Sequence, residues 1–202
     1  MIASVGGQGG LTLSRVLAAA AVMAGYSVRT GETLGMSQRY GSVVSYVKIG
    51  REVHSPLIDP GSAHYLIGLE LLESLRRINY LRPGGVALVA DTLKPPVYSS
   101  LRGGLSKNSV IEELVRVHKE TYIIPAAELA AKAGNKRAAN MVMLGVLSHL
   151  AGFPSEASVI RAVEMILPDR AVKSSIKAYR LGVEYASNRI PRNPKHLGRE
   201  SF

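Results

Sequence analysis

The segment Val5-Gly6-Gly7-Gln8-Gly9-Gly10 decides the fold, because a short apolar stretch precedes it and an alanine-rich helical pattern, Leu11 to Ala24, follows it. This order predicts a strand, a glycine turn and a helix. Such a turn leaves backbone N–H groups unpaired at the positive end of the helix dipole, where phosphate or carboxylate binds. The sequence therefore predicts an anion-binding turn. Alternatively, the glycines only permit a tight turn and close strand–helix packing.

Strand and helix patterns alternate along the chain, which predicts a three-layer α/β/α Rossmann-like open sheet, mostly parallel, with extra C-terminal helices. The predicted strands cover residues 2–5, 26–30, 42–49, 64–69, 86–91 and 121–124. The predicted helices cover residues 11–24, 71–80, 109–118, 126–133, 137–151, 155–167 and 170–188. Ser109 and Glu112 form a capping box for the third helix, and residues 81–85 read as a turn. Two parts are expected: an α/β domain over residues 1–167, and a basic helix with an extended tail over residues 168–202.

A dinucleotide-binding protein is one alternative, because Glu32 lies about 20 residues beyond the turn, where a Rossmann unit holds its ribose-binding acid. The G-x-G-x-x-G fingerprint is incomplete, however. Its best frame, Ser4-Val5-Gly6-Gly7-Gln8-Gly9, has serine in place of the first glycine. A stand-alone protein that binds nicotinamide or flavin dinucleotides therefore stays as the competing hypothesis.

A second segment is polar and glycine-punctuated before it becomes an alternating strand, and it reads Gly31-Glu32-Thr33-Leu34-Gly35-Met36-Ser37-Gln38-Arg39-Tyr40-Gly41-Ser42-Val43-Val44-Ser45. Together with Gly6-Gly7-Gln8-Gly9, Ser55-Pro56-Leu57-Ile58, Leu69-Glu70 and Asn140-Met141-Val142-Met143-Leu144-Gly145, it resembles the gamma-type domain of the 2-oxoacid:ferredoxin oxidoreductases. The resemblance covers roughly residues 1–165 and is greatest to the small beta subunits of the indolepyruvate ferredoxin oxidoreductases. Leu34 stands where that family usually carries histidine, and Tyr40 where it usually carries glycine.

The resemblance implies a division of labour between subunits. In that family a larger subunit holds most of the thiamine diphosphate site on which a 2-oxoacid is decarboxylated, and [4Fe-4S] clusters pass electrons to ferredoxin. The acyl group goes to coenzyme A, so an aryl pyruvate gives an arylacetyl-CoA. The present chain would be a cluster-free subunit, inactive alone, that completes the cleft in a hetero-oligomer. No catalytic residue is assigned.

Candidate cleft residues follow from the chemistry of those ligands. In the turn formed by Gly6, Gly7, Gln8, Gly9 and Gly10, the backbone N–H groups at Gly7 to Gly10 suit an anion. The fork of Arg39 suits a carboxylate or phosphate. Gln8, Gln38 and Ser42 offer neutral hydrogen bonds. Glu32 would orient Arg39 or contact a partner. Alternatively, Arg39 and Glu32 only pair to organise a loop.

Composition limits the chemistry further. The chain has 202 residues and no cysteine, which excludes disulfides and the thiolates that iron–sulfur clusters need. Its five histidines show no metal-ligand spacing, so we expect no metal site. No G-x-S-x-G nucleophile elbow occurs, so Ser-His-Asp catalysis is not expected either. The sequence contains no run of about 18 apolar residues and no leader pattern, so a cytoplasmic location is expected.

The net charge of +10 is concentrated at the C-terminal end, where residues 170–202 contain eight Lys or Arg against two Glu. This basic end suggests a solvated helix and a tail that docks on an acidic partner. Nucleic-acid binding is the alternative, but the segment lacks interleaved aromatic residues and a recognition motif. The proline- and glycine-rich loop between Asp91 and Lys107 follows a strand's carboxyl end, so it either binds a ligand or partner or is an ordinary exposed connection.

Overall fold

One six-stranded sheet organises the computed structural model, which describes residues 1–34, 41–94 and 106–191. Its strands are β1 (Ile2–Val5), β2 (Ser27–Leu34), β3 (Ser42–Gly50), β4 (Ala63–Gly68), β5 (Leu81–Ala90) and β6 (Thr121–Ile124). They lie in the order β2-β3-β1-β4-β5-β6. Strands β1, β4, β5 and β6 are mutually parallel neighbours. The predicted mostly parallel α/β sheet is confirmed.

Strand β3 is antiparallel to both of its neighbours, β1 and β2. It pairs Val43 with Ser4 on one side and with Leu34 on the other. Two sheet spacings, roughly 9.5 Å, therefore separate β2 from β1. A Rossmann unit instead places its ribose-binding acid on the strand next to β1. Glu32 is thus too far from the glycine turn for that role.

Helices cover both faces of the sheet. They are α1 (Gly10–Met23), α2 (Leu71–Arg77), α3 (Lys107–Val117), α4 (Ala126–Lys132), α5 (Ala139–Ala151), α6 (Glu156–Ile166) and α7 (Asp169–Arg189), with short 3₁₀ turns at Ile78–Tyr80 and Lys136–Ala138. Side chains of α2 and α3 share a core with Ala3, Leu66 and Val89. On the other face, α1 and α4–α7 pack against Ile2, Ile67 and Leu88.

Helix α5 is the centre of the second face, since every residue from Asn140 to Ala151 is buried. Helix α7 crosses it at a pair of glycines. A Cβ atom on Gly145 would overlap the Tyr179 carbonyl oxygen, and one on Gly182 would overlap that of Val142. The two backbones therefore touch at this crossing. Whether residues 168–202 form a separate part, as the sequence suggests, stays a prediction.

Three of the differences between predicted and observed boundaries have a clear local reason. Helix α3 begins at Lys107 because the hydroxyl of Ser106, not that of Ser109, caps it by accepting the Ser109 N–H at 3.0 Å. Strand β5 already begins at Leu81, and its pairing with β4 shifts register between Ala63 and Tyr65, so the predicted turn at residues 81–85 is an irregular strand start. Strand β2 continues to Leu34 because it pairs with β3 along its whole length.

No helix in the described ranges is both long and apolar enough to cross a membrane. Gln38, Arg39 and Tyr40, most of the loop between Asp91 and Lys107, and the tail after Pro191 lie outside the described residues.

Candidate functional site

The glycine turn lies at the carboxyl end of β1, as the sequence predicts. Gly7 and Gly9 have φ values of 84° and 83°, a left-handed conformation that glycine adopts without steric cost. The N–H groups of Gly6 and Gln8 donate to Gly41 O at 3.0 Å and to Val5 O at 3.1 Å. Helix α1 begins after Gly9 without any side-chain cap. Its first N–H groups therefore suit an anion placed beyond the helix end.

Gln8 bridges two strand ends. Its Oε1 accepts the Val5 N–H at 2.7 Å, and its Nε2 donates to the Leu69 carbonyl oxygen at 2.9 Å. Both ends of the amide are thus engaged with backbone, on β1 and after β4. The side chain holds the turn against the neighbouring strand, and its second N–H and second lone pair are what it could offer a ligand.

Asn140 fixes the turn from the helical side. This buried residue, in the first turn of α5, donates from Nδ2 to Gly9 O at 3.1 Å and accepts the Met141 N–H at 2.9 Å. A Cβ atom on Gly9 would lie 2.5 Å from Asn140 Nδ2, so this amide would have to shift, and the left-handed φ of 83° also favours glycine here. The Gly9 carbonyl oxygen, which also accepts the Leu13 N–H at 2.9 Å, therefore has two donors within the chain.

A pocket of about 230 Å³ opens beside the turn, at the carboxyl ends of the parallel strands. Its lining combines the glycine turn with three cationic residues, and comprises Gly7, Gln8, Leu69, Ala90, Thr92, Lys94, Ala127, Lys136, Arg137, Ala139 and Asn140. Whole ligands usually occupy roughly 300–1,000 Å³. This pocket is suited to one anionic part of a larger ligand. It also lies where the chain switches sides of the sheet between β1 and β4, the usual ligand crevice of open α/β sheets.

The cations of the pocket come from two connections. Lys94 follows β5, whereas Lys136 and Arg137 belong to the 3₁₀ turn before α5, and all three are exposed. No salt bridge between described residues joins Lys136 or Arg137 to a carboxylate. The charges of Lys136 and Arg137 are therefore available to an anion.

Two buried carboxylates lie behind the same edge, at the start of α2. Glu70 caps that helix and is 1% exposed, and burial is the main cause that raises the pKa of its carboxyl group. Glu73 accepts hydrogen bonds from the Ser42 hydroxyl and from Arg76. The predicted cleft residue Ser42 is thus hydrogen-bonded to Glu73 of α2.

The predicted site residues are only partly brought together. Of residues 6–10, Gly7 and Gln8 line the pocket, and Ser42 begins β3 near the turn, where it pairs with Val5. Glu32 is exposed and pairs with Ser45, so its side chain is on the α1 face, opposite to Ser42. The predicted roles of Gln38 and Arg39 are not tested, because both lie outside the described residues.

A larger pocket of about 770 Å³ lies at the opposite edge of the sheet, around the end of β3 and the start of β4. Its floor is mostly apolar, and its rim carries both signs of charge, with Lys48 and Arg51 beside Glu52 and Asp59. It offers neither a glycine turn nor a surplus of cations. No group of three or more potential metal ligands occurs in the ranges that the structure describes.

Three functional candidates, Lys136, Arg137 and Glu70, were not predicted from the sequence, and Lys94 was predicted only as part of the loop between Asp91 and Lys107. Lys136 and Arg137 follow Gln8 by 128 and 129 residues in the sequence, and only the fold places them beside the glycine turn. One signal was available: Lys136-Arg137 lies two residues before the Asn140-Met141 motif, which is in the first turn of the buried helix α5.

Comparison with known proteins identifies the family of this chain. The family model described as pyruvate ferredoxin/flavodoxin oxidoreductase matches residues 1–185. Indolepyruvate oxidoreductase subunit IorB from Pyrococcus horikoshii is 39% identical over 196 residues, which cover 94% of this chain and 96% of that protein. The keto/oxoacid ferredoxin oxidoreductase gamma subunit from Geobacter sulfurreducens has the same fold, with a TM-score of 0.68 at 23% identity over 93% of this chain and 96% of that one.

A third similar structure is the 2-oxoglutarate:ferredoxin oxidoreductase from Magnetococcus marinus with 2-oxoglutarate, coenzyme A and succinyl-CoA bound. It has a TM-score of 0.70 and 20% identity, and the match covers 95% of this chain but 31% of that longer one. The resemblance to the gamma-type subunits is thereby confirmed. The chain belongs to the pyruvate ferredoxin/flavodoxin oxidoreductase family, as an oxidoreductase subunit.

Proposed function

We propose that this chain is the cluster-free subunit of a hetero-oligomeric oxidoreductase that converts aryl pyruvates, with ferredoxin as electron acceptor, to arylacetyl-CoA. The observation that carries the proposal is the cationic pocket at the carboxyl edge of the sheet, within a chain 39% identical to an indolepyruvate oxidoreductase subunit. The aryl preference follows from that relative's name. The role of the pocket follows from the geometry of the chain.

The other redox groups of such an enzyme do not fit this chain. Iron–sulfur clusters need cysteine thiolates, and the sequence has none. We therefore assign the clusters to a larger partner subunit. From the family resemblance we assign to the same subunit the thiamine diphosphate, which would supply the decarboxylation chemistry. The present chain contributes binding groups and one wall of the cleft.

The pocket suits the phosphate groups of coenzyme A. A phosphate monoester or diphosphate carries several negative charges and many acceptor oxygens, which match cationic side chains and backbone N–H donors. The turn around Gly7 and Gly9 would supply the N–H groups, and Lys94, Lys136 and Arg137 the charge. Coenzyme A in the Magnetococcus marinus enzyme supports this choice of ligand. The chain thereby holds the acyl acceptor at the cleft while the partner acts on the 2-oxoacid.

The substrate class is tested with the assembled enzyme under anaerobic conditions. The assay is coenzyme A-dependent reduction of a viologen dye with aryl, branched-chain and short 2-oxoacids. We expect the highest kcat/KM with aryl pyruvates. A preference for pyruvate or a branched 2-oxoacid would contradict the aryl assignment and leave the subunit assignment intact.

The pocket is tested by the double variant Lys136→Gln/Arg137→Gln in the same enzyme. Because hydrogen bonds to charged groups contribute about 1.5–3 kcal/mol each, we expect KM for coenzyme A to rise about tenfold or more. The matched control is Lys119→Gln/Arg161→Gln, which removes two exposed charges outside the pocket lining. An unchanged KM in the pocket variant would refute the coenzyme A site. Saturable binding of a nicotinamide or flavin dinucleotide by the chain would instead favour the competing hypothesis.

A further inference from the structure

Glu70 is a buried carboxylate that the proposed function leaves without a role. It is 1% exposed at the carboxyl end of β4, and both of its oxygens accept hydrogen bonds from backbone. Oε2 accepts the Glu73 N–H at 2.7 Å, within the first turn of α2, and Oε1 accepts the Lys94 N–H at 3.0 Å. The first bond is ordinary helix capping. The second reaches a different strand connection, 24 residues away.

The bond to Lys94 is one of several contacts that join neighbouring strand ends along the carboxyl edge of the sheet, where the pocket lies. We call this edge the ligand edge. Gln8 joins the end of β1 to Leu69 after β4, and the Leu71 N–H donates to Thr92 O at 2.9 Å after β5. Glu70 then fixes the backbone of Lys94, two residues further along. Lys94 lines the pocket, whereas Glu70 does not. Glu70 can therefore affect a ligand only through the residues it holds.

We propose that Glu70 is a positioning residue, which fixes the backbone of Lys94 so that the Lys94 ammonium group meets a phosphate of coenzyme A. This inference rests on the proposed function. A carboxylate suits the task because it presents two acceptor oxygens to two N–H donors at once. Glutamine in its place would turn an amide N–H toward one of those donors. That arrangement loses one bond and places two donors face to face.

The test is a double-mutant cycle in the assembled enzyme, with Glu70→Gln, Lys94→Ala and their combination, and with KM for coenzyme A and kcat as readouts. If Glu70 acts through Lys94, each single variant raises KM about tenfold and lowers kcat little, as expected for a lost charge-assisted contact. The double variant then resembles the single variants, because the interaction that Glu70 serves is already gone. The control is Glu113→Gln, an exposed carboxylate of α3 that pairs with Arg116.

A merely structural role gives a different pattern. The effects of Glu70→Gln and Lys94→Ala would then multiply, or Glu70→Gln would lower kcat and the amount of assembled enzyme without a selective rise in KM. Either result overturns the inference, as does an unchanged KM. If Glu70→Gln does not assemble, Glu70→Asp, which keeps the charge but shortens the reach, is measured in the same two backgrounds.

The outcome also separates this inference from the function on which it rests. If Lys136→Gln/Arg137→Gln and Lys94→Ala both leave KM for coenzyme A unchanged, the ligand assignment is wrong. If those variants raise KM and Glu70→Gln does not, the ligand assignment stands and the role of Glu70 is wrong.

Discussion

The close contact of α5 and α7 predicts that Gly182→Ala lowers the stability of the chain. A Cβ atom on Gly182 would overlap the Val142 carbonyl oxygen and lie 2.9 Å from its carbonyl carbon and 3.1 Å from its Cα. All three atoms are backbone of a fully buried helix, so no flexible side chain can move aside. The helices must separate instead, which breaks the reciprocal contact of Gly145 with Tyr179 O.

The net magnitude follows from two opposing terms. Overpacking costs typically about 1–3 kcal/mol, and we expect the upper part of that range because the overlap is with backbone on both sides. Replacing glycine by alanine inside a helix returns about 1 kcal/mol of helix propensity. The free energy of unfolding should therefore fall by about 1–2 kcal/mol, which in a chain of this size lowers Tm by about 2–8 °C.

The assay is denaturant and thermal unfolding of the full chain followed by circular dichroism. The control is Asn188→Ala, an exposed position of the same helix, which should be neutral or slightly stabilising. If Gly182→Ala raised the stability by about 1 kcal/mol, as propensity alone predicts, the two backbones would not be in contact and the argument would be refuted.

Three further predictions concern the caps and the ligand edge. Ser106→Ala should lower the free energy of unfolding by about 1 kcal/mol in denaturant titration, and Ser109→Ala by less, because Ser106 caps α3; the reverse order would restore the predicted capping box. Gln8→Ala should lower the free energy of unfolding by about 1–3 kcal/mol, because it leaves the Val5 N–H and the Leu69 carbonyl without their partner. Equal stability of the variant and the unchanged chain would show that water replaces the amide. Because burial raises the pKa of Glu70, the folded chain binds that proton more tightly than the unfolded chain, so the free energy of unfolding should fall as pH rises from the ordinary carboxyl range through the raised pKa. Glu70→Gln should remove this component of the pH dependence, and unfolding curves with the same slope against pH in both chains would contradict it.

Much of the fold could be predicted from local patterns in the sequence. Strand β6 has the predicted bounds, and α1 differs by one residue at each end, because both have clear hydrophobic periodicity and clear turn signals. The cap of α3 could not be chosen reliably, since Ser106 and Ser109 are three residues apart and either can precede an apolar run. The irregular start of β5 is set by its pairing with β4, which is a tertiary contact.

The candidate site was predictable only where one segment makes it. Six consecutive residues, Val5 to Gly10, are enough to predict the glycine turn, and the structure places this turn at the ligand edge. Glu32 was drawn into the site by its spacing from the turn, but the antiparallel insertion of β3 moves it two strands away. Lys136 and Arg137 reach the turn because α5, which they precede, begins beside it, where Asn140 donates a hydrogen bond to Gly9 O. Such contacts depend on the strand order and helix packing, which spacing along the chain does not specify.

The most direct test of the central claim is subunit omission and add-back under anaerobic conditions. The chain is captured from its native cells, its partner is separated, and coenzyme A-dependent viologen reduction with an aryl pyruvate is measured for each part and for the recombined mixture. We expect a larger, brown, cysteine-rich partner, no activity in either part, and activity after recombination. A partner that is fully active without this chain, or a chain that is recovered alone and colourless, would contradict the account.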